Sequence, residues 1–282
     1  MRILQIFGGA GDKYGSMERF IVELCDQAVQ RSFMVDIVMV NIPSSRFHDN
    51  LRGHVENLIC VPCRGPYDLG FWSRVYNVTR YIRPDIAHTH YDRANLLGPF
   101  VMKICGVNHI FQYFHNSFTD SNKVKKRLYF FAAKHLVTSV YCVSEQIRGQ
   151  LIEFGVPSSL IKTQLLGLDL TIYKRRQQID IQDAKERPLR ILTVADARPE
   201  KGLDILILAF LQAKRQIQNA HLRIIGDGPL LAHARILTES CGIQDSVDFL
   251  GRRDDVPELL SQGDLYVQPS LSEGLPLAVM EA

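Results

Sequence analysis

Short apolar segments alternate with stretches of helical period through the first 170 residues of the chain. The segment 2–7 is apolar and β-branched and ends in glycines, which is typical of a buried strand. In 17–30 the apolar residues recur at helical spacing, so a helix is predicted there. Further strands are predicted at 33–40, 85–90, 109–114, 137–143 and 161–165, and further helices at 93–105, 123–136 and 145–154. This alternation predicts a parallel, doubly wound α/β sheet.

A polar and charged segment at 173–187 interrupts the pattern, which restarts after Pro188. We therefore predict an N-terminal domain over 1–170, a linker over 171–188 and a second domain over 189–282. The second domain is predicted to hold strands at 189–195, 221–225, 246–250 and 264–268, and helices at 203–216, 230–241, 256–261 and from Pro276. A complete doubly wound domain has about five or six strands, so we expect an incomplete, C-terminally truncated Rossmann-like domain.

Composition and charge narrow the function classes. Hydrophobic residues make up 46% of the chain and charged residues 22%, as in an ordinary globular protein. The net charge of +3 is too small to indicate nucleic acid as the main partner. No apolar run reaches the roughly 20 residues of a membrane helix, and no secretory signal begins the chain, so we expect a cytoplasmic protein with reduced thiols. Cys60 and Cys63 form a Cys-x-x-Cys pair, but no second pair completes a zinc site, and we interpret their spacing as accidental.

The segment 269–281, Pro-Ser-Leu-Ser-Glu-Gly-Leu-Pro-Leu-Ala-Val-Met-Glu, carries the strongest functional signal. It opens a predicted helix, with Pro276 in the first turn where its missing N–H costs nothing. Gly274 lets the backbone approach a ligand, and the free N–H groups of the helix start suit an anion such as a diphosphate. Glu273 precedes the helix, and Glu281 lies about 7.5 Å further along the axis than Pro276. One carboxylate is thus placed near a phosphate and the other near a more distant pair of hydroxyls.

Two glutamates separated by seven residues, with Gly-Leu-Pro between them, resemble the signature of glycosyltransferase family 4, the group 1 glycosyltransferases of the GT-B fold. The resemblance implies two Rossmann-like domains and retaining transfer of a sugar from a nucleotide-sugar to an acceptor hydroxyl. It implies that Glu281 binds the ribose hydroxyls and that Glu273 acts beside the donor sugar. The backbone amides implied to hold the sugar and phosphate are those of Gly274, Leu275 and Leu277. The alternative, an ordinary solvated helix start, explains neither glutamate.

The loop 194–202, Val-Ala-Asp-Ala-Arg-Pro-Glu-Lys-Gly, resembles the phosphate clamp of the same family. The resemblance implies that Lys201 neutralises the donor diphosphate as negative charge develops on the leaving nucleotide. Asp196 stands where many members carry an arginine, and a carboxylate facing a diphosphate is repulsive. Arg198 is the residue that could supply the missing cation. The alternative for this segment is a solvated loop.

Further candidate residues lie in the first domain. Gly15 begins Gly-Ser-Met-Glu-Arg, which resembles the family's glycine-rich turn and implies an amide that reaches the donor phosphate; the alternative is a helix cap by Ser16. His115 matches a position where relatives often have a histidine facing the donor sugar, with a satisfied polar residue as the alternative. His88 and His90 are expected on opposite faces of their strand. We expect no metal and no cofactor, because the nucleotide-sugar is a substrate.

A basic cluster begins the helix predicted at 123–136, and its members are Lys123, Lys125, Lys126 and Arg127. Aromatic residues follow it directly. This combination suits an anionic lipid surface, so we expect peripheral contact with the inner membrane face. The alternative is a solvated helix face whose aromatic residues lie in the core.

The favoured function is sugar transfer from a nucleotide-sugar to a glycan or lipid-linked acceptor, in the synthesis of a cell-surface polysaccharide or glycolipid. Two alternatives stay open, which are an inactive truncated fragment and a sugar-nucleotide epimerase of the same fold. Because one residue follows Glu281, we expect the 282-residue chain to hold this carboxylate loosely and to have little activity.

Overall fold

The computed structural model describes residues 1–9, 14–40, 42–65, 68–116, 123–173 and 187–282, without the side chains of Asp92, Lys123, Lys125 and Lys126. The chain divides into two compact units, Met1–Gly167 and Leu168–Ala282. Most of the predicted linker at 171–188 lies outside the described residues. Each unit holds a parallel sheet with helices, so the predicted α/β class is confirmed. In the part of the chain that the structure describes, no helix is long and apolar enough to cross a bilayer.

The sheet of the first unit has seven strands in the order β3-β2-β1-β4-β5-β6-β7, and every neighbouring pair is parallel. Its strands are β1 Arg2–Phe7, β2 Met34–Met39, β3 Asn57–Cys60, β4 Ile86–His90, β5 His109–Phe114, β6 Ser139–Cys142 and β7 Ile161–Thr163. Its helices are α1 Ser16–Gln30, α2 Ser45–Leu51, α3 Leu69–Ile82, α4 Tyr91–Ile104, α5 Lys123–His135 and α6 Glu145–Glu153. The strand order reverses between β1 and β4, where open α/β sheets bind ligands beyond the carboxyl ends.

Both faces of this sheet are covered, which explains why β1 is a nearly uninterrupted apolar run. On one face Leu4 and Ile6 pack in a cluster with Trp72 of α3. On the other face Phe7 packs in a cluster with Ile21 of α1. Side chains alternate along a strand, so a segment buried on both faces shows no alternation between apolar and polar residues.

The apolar pattern did not predict α2, β3 or α3. The four residues of β3 are partly or largely exposed, so they form no apolar run. Capping residues do mark both helix starts, because Ser44 Oγ accepts a hydrogen bond from Phe47 N–H at 3.3 Å and Asp68 Oδ1 accepts one from Phe71 N–H at 3.0 Å. The local helix start signals were therefore present. The seven-residue α2 and the four-residue β3 are too short to show an apolar period, whereas the 14-residue α3 was missed although its length would have sufficed.

The sheet of the second unit has four parallel strands in the order β10-β9-β8-β11. Its strands are β8 Leu189–Val194, β9 Ala220–Ile225, β10 Val247–Gly251 and β11 Leu265–Tyr266. Its helices are α7 Leu203–Lys214, α8 Leu231–Ser240, α9 Val256–Ser261 and α10 Leu277–Glu281. Leu206 and Phe210 of α7 form a core with Leu222 of β9. The last helix begins one residue later than predicted, because Pro276 has ψ 88° and is not helical.

Candidate active site

Three loops meet beyond the carboxyl edge of the second sheet, where they follow β8, β9 and β11. Backbone hydrogen bonds join them to one another. Ala197 N–H donates to the carbonyl of Asp227 at 2.9 Å, and Leu271 N–H donates to the carbonyl of Glu200 at 2.8 Å. The strand order reverses at β8, so these loops surround the edge at which open α/β sheets bind their ligands.

Two glycines bring these loops into backbone contact. Gly202 has φ +61°, and a Cβ there would lie 2.4 Å from the carbonyl oxygen of Pro269. Gly226 has φ +138°, and a Cβ there would lie 2.0 Å from the carbonyl oxygen of Ala195. Both the backbone conformation and the space therefore require glycine at each position. The predicted clamp loop and the glutamate-bearing segment are thus held side by side.

Lys201 and Glu273 form an ion pair in this loop cluster. Lys201 Nζ lies 2.7 Å from Glu273 Oε1, although 72 residues separate the two in the chain. Their side chains are 23% and 22% exposed, so water still reaches the pair. The family resemblance implies that Lys201 neutralises the donor diphosphate and that Glu273 acts beside the donor sugar. The structure brings these two side chains together.

Two further polar residues hold Glu273. Gln268 Nε2 donates to Glu273 Oε1 at 2.9 Å and to Ser270 Oγ at 2.6 Å. The hydroxyl of Tyr266 donates to Gln268 Oε1, which fixes the orientation of the amide. Burial raises the pKa of Tyr266 above its usual range, and the charges of Glu281 and Glu273 add to this effect. Tyr266 therefore stays a hydrogen-bond donor, and Glu273 is held from two sides.

Arg198 and Asp196 lie at the start of the clamp loop. Arg198 Nη2 is 3.8 Å from Asp196 Oδ2, and the arginine side chain is 57% exposed. An exposed pair at this distance contributes little to stability. The guanidinium group is thus accessible to a ligand, and it offsets the charge of the Asp196 carboxylate, which stands where the family resemblance implies an arginine.

The remaining predicted residues of the second unit follow Glu273 in order. Gly274 and Leu275 belong to the loop before α10, and Leu277 is the first residue of the helix. Glu281 is its last residue and lies near enough to Tyr266 to raise the pKa of that hydroxyl. Glu273 and Glu281 thus stand before and at the end of a five-residue helix.

In the first unit, His115 directly follows β5 and is joined to two other buried side chains. His115 Nε2 lies 3.1 Å from His90 Nδ1, and His90 Nε2 lies 2.8 Å from Gln5 Oε1. Burial lowers the pKa of His90 well below its usual range and that of His115 to about 4. Both imidazoles are therefore neutral near pH 7.

Gly15 begins α1 as its N-cap residue, and Ser16 is the first helical residue. The alternative of a cap by Ser16 is therefore wrong. Instead, the buried carboxylate of Glu18 accepts a hydrogen bond from Gly15 N–H at 3.0 Å. This is the second half of a capping box, in which a side chain three residues into the helix binds the amide of the N-cap residue. The amide that the resemblance assigned to the donor phosphate is thus bound to Glu18 here.

The expectation that His88 and His90 face opposite sides of β4 is wrong. Their ring centroids are 6.2 Å apart, because residues two positions apart in a strand share a face. Among the described residues, no group of three or more His, Cys, Asp or Glu side chains is arranged to hold a metal ion.

The basic cluster lies on α5, but the side chains of Lys123, Lys125 and Lys126 lie outside the described part of the structure. The aromatic residues of this helix divide between core and surface. Tyr129 and Phe130 are buried, whereas Phe131 is 51% exposed. The helix therefore presents an apolar surface residue while most of its aromatic area lies in the core.

Sequence reasoning did not assign roles to Gln5, Glu18, Tyr266 or Gln268. A weak signal existed for two of them. Gln5 is a lone polar residue inside the apolar strand β1, and Gln268 is a polar residue between a strand and Pro269. Buried polar side chains have partners, so such positions point to a polar contact without naming it.

Two α/β units, each with a parallel sheet and candidate ligand groups at the carboxyl edge of that sheet, have the Rossmann-like architecture of the GT-B fold. The model of the family described as Glycosyltransferase Family 4 matches residues 17–171, which is more than half of the chain. The model of the family described as Glycosyl transferases group 1 matches residues 174–282. The chain belongs to glycosyltransferase family 4.

Its relatives include two bacterial enzymes and one solved structure. The Escherichia coli UDP-Gal:alpha-D-GlcNAc-diphosphoundecaprenol alpha-1,3-galactosyltransferase is 29% identical over 83% of this chain and 64% of its own length. The Erwinia amylovora amylovoran biosynthesis glycosyltransferase AmsK is 30% identical over 50% of this chain and 35% of its own. The Anabaena Alr3699/HepE complex with UDP and glucose has a TM-score of 0.81 at 19% identity, over 100% of this chain and 78% of that one. The chain spans between a third and two thirds of the length of these two curated relatives.

Proposed function

We propose that this protein transfers a glycosyl unit from a UDP-sugar to an acceptor hydroxyl with retention of anomeric configuration. The observation that carries the proposal is the Lys201–Glu273 pair, which lies beside the start of α10 at the carboxyl edge of the second sheet. The Escherichia coli relative is named for a UDP-Gal donor, and the Anabaena structure holds UDP and glucose. These names support UDP as the nucleotide.

In this proposal Lys201 exchanges partners when the donor binds. Its ammonium group leaves Glu273 Oε1 and binds the donor diphosphate, on which negative charge grows as the glycosidic bond breaks. Arg198 supplies a second cation in place of the arginine that many relatives carry where Asp196 stands. The amides of Gly274, Leu275 and Leu277 donate to the remaining phosphate oxygens.

Glu273 becomes available to the donor sugar once Lys201 has left it. Its carboxylate accepts hydrogen bonds from sugar hydroxyls, and Gln268 keeps it in place during the exchange. Glu281 accepts hydrogen bonds from the two ribose hydroxyls. UDP then leaves, and the acceptor oxygen attacks the anomeric carbon of the sugar from the same face. The acceptor proton passes to the departing phosphate oxygen. The bond between the anomeric carbon and the phosphate oxygen breaks, a bond between the anomeric carbon and the acceptor oxygen forms, and the anomeric configuration is retained.

We place the acceptor in the class of lipid-linked or cell-surface glycans. The Escherichia coli relative is named for a diphosphoundecaprenol acceptor and the Erwinia relative for amylovoran biosynthesis. Helix α5 exposes Val124 and Phe131 on the same element as the basic cluster. This surface suits contact with an anionic membrane, where a lipid-linked acceptor lies.

Product analysis tests the proposed function. The protein is incubated with UDP-glucose, UDP-galactose or UDP-N-acetylglucosamine, with and without a diphosphoundecaprenol-linked sugar. We expect release of UDP that depends on the acceptor. We also expect an α-linked product, which the coupling constant of its anomeric proton in the NMR spectrum identifies. Conversion of one UDP-sugar into another without acceptor would instead support an epimerase, and an inverted linkage would exclude the retaining mechanism.

A further inference from the structure

Three buried polar side chains form a chain of hydrogen bonds across β1, β4 and the end of β5. They are Gln5, His90 and His115, which are 3%, 2% and 7% exposed. The nitrogen–oxygen distance from His90 to Gln5 is 2.8 Å, and the nitrogen–nitrogen distance from His90 to His115 is 3.1 Å. Eighty-five residues separate Gln5 from His90 in sequence, so only the pairing of β1 with β4 brings them together.

The chemistry of Gln5 sets the direction of the whole chain of hydrogen bonds. The Oε1 atom of Gln5 accepts only, so the proton between Gln5 and His90 belongs to His90 Nε2. A neutral imidazole carries one N–H, and Nδ1 of His90 therefore holds a lone pair. This lone pair accepts from His115 Nε2–H, so Nδ1 of His115 also holds a lone pair.

Aromatic rings hold the two imidazoles in these orientations. The ring of His90 stacks on Phe7 at 4.3 Å and on Tyr113 at 4.6 Å between centroids. The ring of His115 stacks on Tyr91 at 4.7 Å. Stacking fixes the planes of the two rings, and the hydrogen bonds to Gln5 and between the rings fix which nitrogen faces which partner.

The Nδ1 atom of His115 is where the chain of hydrogen bonds ends. It is buried and has no hydrogen-bond partner among the described residues. A buried acceptor without a donor is unfavourable, and a ligand that donates a hydrogen bond to it would remove that cost. His115 lies just beyond the carboxyl end of β5, on the edge of the sheet where ligands bind. A lone pair there attracts an O–H group and repels a phosphate oxygen.

We propose that Gln5 and His90 are positioning residues that hold His115 as its Nε2–H tautomer, so that Nδ1 accepts a hydrogen bond from a sugar hydroxyl. The identity of the ligand rests on the proposed function, whereas the arrangement of protons does not. Gln5 and His90 thus determine that this position selects a hydroxyl donor and not an anion.

NMR of the protein labelled with ¹⁵N-histidine tests the arrangement of protons. The signals of His90 and His115 are assigned from the variants that lack each ring. We expect a protonated Nε2 and an unprotonated Nδ1 for both residues at pH 7. In Gln5→Leu the acceptor is lost and both rings should become mixtures of tautomers, whereas Gln5→Glu keeps an acceptor and the original pattern. A protonated Nδ1 on His115 of the unchanged protein, or no change in Gln5→Leu, would overturn the proposal.

Kinetics test the consequence for the ligand. A mixture of tautomers still contains the accepting form of His115, so kcat/KM in Gln5→Leu should fall in proportion to the population of that form, by about twofold for an equal mixture, with recovery in Gln5→Glu. His90→Phe keeps the ring stacking but removes the acceptor, and it should match Gln5→Leu. Gln112→Met is the matched control, because Gln112 is equally buried in β5 and its amide contacts the carbonyl of Asn95 instead.

An equal loss in Gln112→Met and Gln5→Leu would mean a general effect of core damage and would overturn the positioning role. Sugar transfer by a protein whose His115 carries Nδ1–H would overturn this proposal and leave the proposed function intact. The expected tautomers in a protein that neither binds nor transfers any UDP-sugar would overturn the hydroxyl assignment together with the proposed function.

Discussion

At the residue scale, the Lys201–Glu273 pair combines a short distance with access to water. Nζ and Oε1 are 2.7 Å apart, yet more than a fifth of each side chain is exposed. Water that reaches both groups can solvate them when the pair separates. The ammonium group of Lys201 can therefore exchange a carboxylate for a diphosphate, as the proposed mechanism requires.

Replacement of Lys201 by Met should weaken UDP binding. We expect a loss of about 1–3 kcal/mol in binding free energy by calorimetry, since one charge-assisted hydrogen bond to the diphosphate disappears. Lys214→Met is the control, because Lys214 contacts the carbonyls of Gln218 and Ala220 near the amino end of β9. Equal UDP affinity in Lys201→Met and the unchanged protein would remove Lys201 from the donor site.

Replacement of Glu281 by Ala should also weaken UDP binding, by about 1–3 kcal/mol, because two ribose hydroxyls lose a charged acceptor. Glu239→Ala on the exposed side of α8 is the control. The expected loss should shrink when 2′-deoxy-UDP replaces UDP, since that nucleotide lacks one of the hydroxyls. The same loss with both nucleotides would argue against a ribose contact.

At the scale of elements, the contact between the clamp loop and the loop after β11 depends on one glycine. Gly202→Ala would place a Cβ 2.4 Å from the carbonyl oxygen of Pro269. Gly242 has a similar φ, +66° against +61°, but has open space where a Cβ would lie. The two positions therefore separate the cost of backbone conformation from the cost of the close approach.

We expect Gly242→Ala to lower the free energy of unfolding by about 1 kcal/mol, the cost of a left-handed backbone. Gly202→Ala should cost more and should also reduce UDP affinity, because Lys201 and Glu273 move apart. Urea unfolding and calorimetry measure the two effects. Similar unfolding losses and unchanged UDP affinity in both variants would show that the loop contact is unimportant for the site.

Helix α5 is the element assigned to membrane contact. Sedimentation with anionic vesicles should show binding that falls as salt rises, at about 1 kcal/mol for each basic residue near the surface. Replacement of Lys123, Lys125, Lys126 and Arg127 by Gln should abolish it. Replacement of Arg252 and Arg253 by Gln is the control on the second unit. Equal binding to neutral and anionic vesicles would contradict the electrostatic contact.

At the scale of the whole molecule, each unit has its own sheet and its own core clusters. The only tryptophan of the chain is Trp72, which is buried in the core of the first unit. Its fluorescence therefore reports the unfolding of the first unit, and the stability of that unit can be measured within the intact chain.

The first unit should lose stability in mild acid. The folded state keeps His90 and His115 neutral, with the pKa of His115 at about 4, whereas unfolded histidine takes up a proton near pH 6.5. As the pH falls from about 6.5 toward 4, the unfolded state binds protons that the folded state does not. The free energy of unfolding should then fall by up to about 1.4 kcal/mol per pH unit for each histidine.

Urea unfolding followed by Trp72 fluorescence at several pH values measures this slope. His115→Gln should reduce this slope, and His48→Gln at an exposed position of α2 is the control. A flat stability profile between pH 7 and pH 5 would mean that the buried histidines are protonated in the folded state.

The pattern of apolar residues was sufficient for most long elements, although the 14-residue α3 was missed, and it was insufficient for α2 and β3. Strands β1 and β5 were predicted with the bounds that the structure has, because a doubly covered sheet leaves an apolar run in the sequence. Short α2 and the partly exposed β3 leave no such run, and their formation depends on packing against neighbouring elements.

By itself the sequence determined the α/β class, and it predicted the division near residue 170 and the segments that carry Lys201, Glu273 and Glu281, because these depend on periods and motifs within a few residues of one another. The partners of those residues depend on strand order. Lys201 meets Glu273 across 72 residues, and His90 meets Gln5 across 85. Such contacts form only after the sheet has placed the carboxyl ends of distant strands side by side, so only the tertiary structure decided which residue holds Glu273 and which nitrogen of His115 has no partner among the described residues.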